Sequence, residues 1–452
     1  MKHLIRLTTL CLAMGLVVNL IQLSSSPRQG QINTGTGTGA TQIRFALPEF
    51  QSKSSDPNAV KLTSLFNQVL WDDLDYSGSI LLINRTFYPL GKFQAASDIK
   101  AEDWKDPRVN AQYIAFGSTD VRSGKMTIEA HLWDLAVASD RERGLSLGSE
   151  LSEDAVRLAA HRFADHIVDT LFGGKVGIAQ TRVAYVAVGS TGNKEVMVMD
   201  YDGANAFPLT TFRSTSIIPS WAPDGEKIAF ITYRGNKGPN IEILSRLDRR
   251  SFPFQALGGT TATPAWSPDG SKIAFSSGVE PGNMEIYVAD WNGRNAKRLT
   301  VNRKIVDISP TWNPATGREL AFVSDRSGTQ QIYIMDADGT NVHPMMNEGG
   351  DAENPSWSPD GRYIAFAWQK RDVGRYDIYI HDLASGRNTQ LTSNAGDNER
   401  PSWAPDGRHF VFASTRSGTS QIYSMLANGE KLRQLTKSGR NEGPAWSTFS
   451  GK

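Results

Sequence analysis

The tripeptide Pro-x-Trp recurs six times in the C-terminal part of the chain, at Pro219/Trp221, Pro264/Trp266, Pro310/Trp312, Pro355/Trp357, Pro401/Trp403 and Pro444/Trp446. Successive prolines stand 45, 46, 45, 46 and 43 residues apart. A period in the forties made of short strands marks the blades of a β-propeller, because a single small sheet cannot bury both faces alone and a ring of them can. Each repeat has the same parts: Pro-x-Trp, usually a Pro-Asp-Gly turn, an Ile-Ala-Phe-like run, an Ile-Tyr-x-x-Asp-like run and often a closing Leu-Thr. The pairs Asp224-Gly225, Asp269-Gly270, Asp360-Gly361 and Asp406-Gly407 are expected to supply the positive φ angles of tight hairpins. The proline before each tryptophan is expected to start an innermost strand, where no ladder donor is needed. Regular recurrence also predicts that the six indoles pack between blades.

The first and last blocks are complementary. Residues 182–211 hold RVAYVAVG, EVMVMD and FPLT but no Pro-x-Trp, whereas the final block supplies PAWS and then stops. Three outer strands from the first block and Pro444 to Ser447 from the last would complete one blade and leave no free sheet edge around the ring. The arithmetic predicts six blades over residues 181–449.

Upstream, residues 43–173 read as a separate mixed α/β domain. Ile43 to Phe50 predicts a strand, and Asp56-Pro57 opens a helix with Leu62, Leu65, Phe66, Val69 and Leu74 on one face. Strands are expected near 112–117 and 125–135. Ser152 caps a second helix carrying Val156, Ala159, Phe163, Ile167 and Leu171, which Gly173-Gly174 ends. Residues 24–42 are small and polar, the composition of a flexible linker. Lys2, His3 and Arg6 followed by the apolar run 7–23 predict a secretory signal, with an uncleaved anchor as the competing reading. The only cysteine, Cys11, lies in that run, so the folded part holds no disulfide and no cysteine metal site.

The 48 Lys+Arg against 47 Asp+Glu give a net charge of +1, so no overall field would hold nucleic acid or anionic lipid. Gly144-Leu145-Ser146-Leu147-Gly148 matches G-x-S-x-G, but the domain is too small for a hydrolase sheet, and His161 and His166 fall within the following helix. Those histidines are five apart and do not share a helical face as zinc ligands would. Asp200-x-Asp202-Gly203 and Asp336-x-Asp338-Gly339 resemble the start of a calcium loop, lack its later carboxylates and fall where hairpin turns are needed. No catalytic residue, metal ligand or cofactor is assigned. The segments ahead of each Pro-x-Trp are expected to be loops converging at one end of the propeller axis. They carry Asp307, Asp351, Glu353, Asn354, Asp397, Glu399, Arg400 and Glu442, an acidic rim suited to a partner's basic or polar segment.

Taken together, IRFALPEF, WDDLDYSG, Trp104, YIAFGS, HLWDL, RLAAHRFADHIVDTLFG, TRVAYVA, PAWSPDGSKIAF and LAFVSDRSGTQQIYIMDADG closely resemble the TolB family of the Tol-Pal envelope system. The resemblance implies a soluble, monomeric, non-catalytic periplasmic protein that binds the peptidoglycan-associated lipoprotein Pal at the propeller mouth. It carries partner contacts onto Thr260, Thr263 and Ile308, and associates the N-terminal domain with the inner-membrane protein TolA. Family chains begin with an extra strand that takes part in the TolA contact, for which residues 24–42 offer no counterpart. The rival is a TolB-like propeller serving a different envelope protein or glycan. A prolyl-oligopeptidase-like enzyme would need a further hydrolase domain.

Overall fold

The computed structural model describes residues 42–448 apart from 123, 142–144, 175–176, 236–237, 256, 281–282 and 372. The expected signal at 1–23, the linker up to residue 41 and Gly144 of the G-x-S-x-G motif lie outside the described residues.

The N-terminal domain is a seven-stranded sheet with two helices, α1 (Pro57–Tyr76) and α2 (Glu153–Phe172). Asp56 caps α1 by accepting the amides of Asn58 (2.7 Å) and Ala59 (3.1 Å), and Pro57 occupies the first turn, where its missing N–H is not needed. Ser152 caps α2 from the amide of Ala155, and Gly173 ends it at φ 69°. Leu62, Phe66, Val156 and Phe163 of the helices share one core with Met126, Ile128, Ala130 and Leu132, the alternate residues of strand Lys125–Asp134. The predicted strand Ile43 to Phe50 pairs only over Ile43–Ala46. Beyond it Pro48 has no N–H to donate, and the Phe50 amide turns to the Asn67 side chain of α1 at 2.9 Å. Ser146 lies on the strand Leu145–Glu150 paired with Glu129, away from any strand-to-helix turn, which removes the nucleophile-elbow geometry.

The rest is a six-bladed propeller of four-stranded antiparallel sheets. Lettering strands A to D outward from the axis, blade 1 is Ser216–Trp221, Lys227–Thr232, Asn240–Ser245 and Ser251–Phe252. Strands A of blades 2 to 5 are Thr260–Trp266, Asp307–Trp312, Asp351–Trp357 and Asn398–Trp403. Blade 6 takes strand A, Arg440–Trp446, from the C-terminal end, and strands B to D, Arg182–Val188, Lys194–Asp200 and Phe207–Pro208, from the start of the repeat region. The predicted closure is therefore the observed one. The Ile-Ala-Phe runs form strands B and are buried on both faces, so they read as continuous apolar runs instead of alternating ones. The closing Leu-Thr pairs also have a role: Thr210, Thr300, Thr392 and Thr436 each accept a strand C amide at 2.8–2.9 Å.

Two expectations need correction. In the Asp-Gly turns only the glycine takes positive φ, at 67°, 70°, 72° and 65°. The aspartate instead accepts the amide two residues on, as in Asp224 from Glu226 at 2.8 Å. The proline of Pro-x-Trp does not start strand A. Each A strand begins upstream and carries a bulge at the proline, between Glu353 and Ser356 in blade 4 for example. Pro355 sits where the ladder is interrupted and no donor is required.

The two domains share a buried contact. Tyr76 at the end of α1 donates its hydroxyl hydrogen bond within a pair with Ser424 Oγ (2.7 Å), and its carbonyl meets His409 Nε2 at 2.8 Å. Arg408 hydrogen-bonds Ser79 and the Ser77 carbonyl, and Trp446 belongs to the same core as α1 and α2.

Removing residues from Pro444 onward would take the second half of the inner strand from blade 6, with its Ala445–Ala184 and Trp446–Val183 pairs, and expose that part of the edge of Arg182–Val188. Differential scanning calorimetry is expected to show a large fall in Tm and loss of a single cooperative transition; unchanged unfolding would contradict the closure.

Candidate partner-binding site at the tunnel mouth

Strands A all begin at one end of the axis and end at the A–B turns at the other. Thr260, Thr263, Asp307, Ile308, Asp351, Glu353, Asn354, Glu399, Arg400 and Glu442 lie on these strands and not on loops, and only Asp397 precedes its strand. The bulge explains the difference, because pairing resumes upstream of the proline. The residue before each proline adopts a left-handed conformation: Ile218, Thr263, Ser309, Asn354 and Arg400 at φ 49–55°, and Gly443 at φ 52°. Five non-glycine residues held there, each costing about 1–2 kcal/mol, show that the ring dictates this backbone against local preference.

Two residues before each proline stands a set of equivalent positions: Ile217, Ala262, Ile308, Glu353, Glu399 and Glu442. Blades 1 to 3 present aliphatic groups there and blades 4 to 6 present carboxylates. Glu353 accepts the Tyr376 hydroxyl at 2.9 Å. Burial acts against ionisation of Glu442, but Lys194 (2.6 Å) and Arg440 (2.6 Å) hold its carboxyl below the usual range. Burial pushes Glu399 up; neighbouring Arg400 pulls it down, and Asp397, Glu353 and Glu442 add to the rise. Glu353 and Glu442 thus both act electrostatically on Glu399.

Other expected rim groups serve the scaffold. Asp307 is fully buried, with both carboxylate oxygens 3.0 Å from Arg326 and a third bond from Asn302, so it offers nothing to a partner. Asp351 accepts the Gln330 amide (3.2 Å) and Asp397 the Tyr376 amide (3.1 Å), each tying a blade to the one before it. Thr263 bonds Ser276 and accepts the Ser309 amide of blade 3. Thr260 and Ile308 are half-buried at the rim. The rim is thus less acidic than its composition suggests, with its negative character concentrated around Glu353 and Glu399.

Beyond this rim a central cavity of about 570 Å³ is lined by the Pro-x-Trp segments of all six blades. The indoles are buried, and Trp221, Trp312 and Trp403 donate to carbonyls of the preceding blade, Ala445, Ala265 and Ser356, at 3.0–3.1 Å. The expected packing between blades holds.

Sequence reading missed a second polar centre, between the domains, where Asp73 of α1 bonds His161 of α2 (2.7 Å) and Tyr201 of blade 6 (2.5 Å). Its members are 88 and 128 residues from Asp73, so no local motif announces them.

Comparison with known proteins fits this architecture. The model of the TolB amino-terminal domain matches residues 35–140, and that of the TolB beta propeller domain matches 170–372 and 347–452. The chain belongs to the TolB family. The Tol-Pal system protein TolB of Bordetella pertussis is 31% identical over 314 residues, covering 69% of this chain and 67% of that protein. The TolB homolog of Chlorobium chlorochromatii is 32% identical over 295 residues, covering 64% and 62%. The crystal structure of TolB from Acinetobacter baumannii superposes with a TM-score of 0.74 at 23% identity, over 90% of this chain and 97% of that one, and so shows the fold. Among the described residues no helix is long and apolar enough to cross a membrane.

The state of Glu399 has a consequence for this TolB chain. Its raised pKa means that the folded form holds the proton more tightly than the unfolded chain does, so its contribution is favourable below the unfolded carboxylate range and is lost as pH rises through the folded pKa. Glu399→Gln is expected to raise Tm at neutral pH, with the gain shrinking as pH falls through the carboxylate range. Thermal melts across pH check this, and a gain independent of pH would contradict it.

Proposed function

We propose that the protein is a non-catalytic periplasmic scaffold of the Tol-Pal system that binds a Pal-like peptidoglycan-associated lipoprotein at the propeller mouth. In this reading it supports envelope integrity and cell division, with its N-terminal domain turned toward a TolA-like inner-membrane protein. Family membership supports the setting, and the carrying observation for the site is the half-apolar, half-acidic ring of Ile217, Ala262, Ile308, Glu353, Glu399 and Glu442. Aliphatic groups supply area for a hydrophobic anchor. The carboxylates orient a polar or basic segment against them, a division that gives both affinity and register.

The docked N-terminal domain leaves this end uncovered. It meets the ring at Arg408, Lys431 and Tyr201, at the end where the A–B and C–D turns lie. A partner can reach the mouth without displacing it.

Purified protein is expected to retain the Pal-like lipoprotein of its own host, and Glu353→Lys with Glu399→Lys is expected to weaken binding at least tenfold in isothermal titration. Full affinity in the double variant would move the site elsewhere. Recovery of a different envelope protein or a glycan in place of that lipoprotein would favour the rival partner.

A further inference from the structure

The Asp200 to Gly203 segment forms a hairpin turn, as its sequence suggests, with the Gly203 amide on the Asp200 carbonyl at 2.9 Å. The structure adds something that the turn does not explain. His161 of α2 comes to this turn from the other domain, and one of its ring nitrogens and one carboxylate oxygen each of Asp200 and Asp202 all lie within 4.8 Å of one another. His161 is only 3% exposed, and its Nε2 makes no hydrogen bond among the described residues.

The other ring nitrogen is held. His161 Nδ1 stands 2.7 Å from Asp73 Oδ2, and Tyr201 donates to Asp73 Oδ1 at 2.5 Å. A carboxylate on Nδ1 makes that nitrogen the donor and, in the neutral ring, leaves Nε2 with the lone pair, the arrangement that metal-binding histidines use to orient and strengthen their donor atom. Nε2 is thus the ring nitrogen left for the two carboxylates, whose charge Arg182 and Arg157 offset in part. Nε2 stands beyond hydrogen-bond distance of every acceptor among the described residues. A metal ion with bonds of about 2.0–2.2 Å to each ligand fits the wider gap after a small contraction.

We propose that His161, Asp200 and Asp202 form a divalent transition-metal site, of the zinc class, that clamps α2 to blade 6. Arg182 and Asn205 bond Asp200, and Arg157 and the Ala204 amide bond Asp202. A carboxylate has about four acceptor positions, so these contacts leave others for an ion while moderating its affinity. The imidazole donor selects zinc, cobalt or nickel over calcium and magnesium, which favour all-oxygen sets. The site joins residues from both domains, so the ion would stabilise their docking as well as the fold.

Titration of the metal-free full-length protein with zinc chloride should give one saturable equivalent and a rise in Tm, and cobalt chloride should give a d–d spectrum of low-symmetry nitrogen and oxygen ligation. His161→Gln and Asp202→Asn should each weaken zinc binding at least tenfold, with circular dichroism confirming the fold. Zinc-edge X-ray absorption of the wild-type complex should show one imidazole among oxygen donors, a result that does not depend on any variant folding. Absence of saturable binding, or binding that survives both substitutions, would overturn the proposal.

Discussion

The fold depends on one strand pairing, Arg440–Trp446 against Arg182–Val188, which joins the two ends of the repeat region. It converts a row of sheets into a ring and removes the two edges that a row would leave exposed. The seam is reinforced: Ser447 donates its amide to the Arg182 carbonyl at 2.8 Å, and the Arg182 amide bonds Ser447 Oγ at 3.0 Å. Trp446 Nε1 reaches Thr181 Oγ1 at 2.8 Å and its ring enters the core shared with α1 and α2. Ring closure and domain docking therefore occur at the same place, and the N-terminal domain covers the seam between blades 5 and 6.

Closure also creates the mouth. Only a complete ring brings six equivalent strand positions round one axis, and only there does the difference between Ile217, Ala262 and Ile308 on one side and Glu353, Glu399 and Glu442 on the other become a surface. The same geometry imposes the left-handed residue before each proline. That backbone is adopted by isoleucine, threonine, serine, asparagine and arginine alike, so it belongs to the scaffold and leaves side-chain identity free to vary from blade to blade.

Much of this was legible in the chain. The period of Pro-x-Trp fixed the blade count, and the split blade announced its own closure, because both are statements about repeated parts. The placement of the rim residues was not legible, since a bulge lets strand A run upstream through a proline that reads as a strand start. Nor was the burial of Asp307, whose partner Arg326 lies on a loop 19 residues away. The contact among Asp73, His161 and Tyr201 was invisible for a simpler reason: it exists only after two independently patterned domains have docked.

The central claim is that the asymmetric mouth is the partner surface. A photo-reactive amino acid placed at Glu353, Glu399 or Ile308, and as a control at exposed Asp338 on the far turn of blade 3, tests it in living cells of the host. The account predicts one common envelope-protein adduct from the three mouth positions and none from Asp338. The same adduct from Asp338, with none from the mouth, would contradict it.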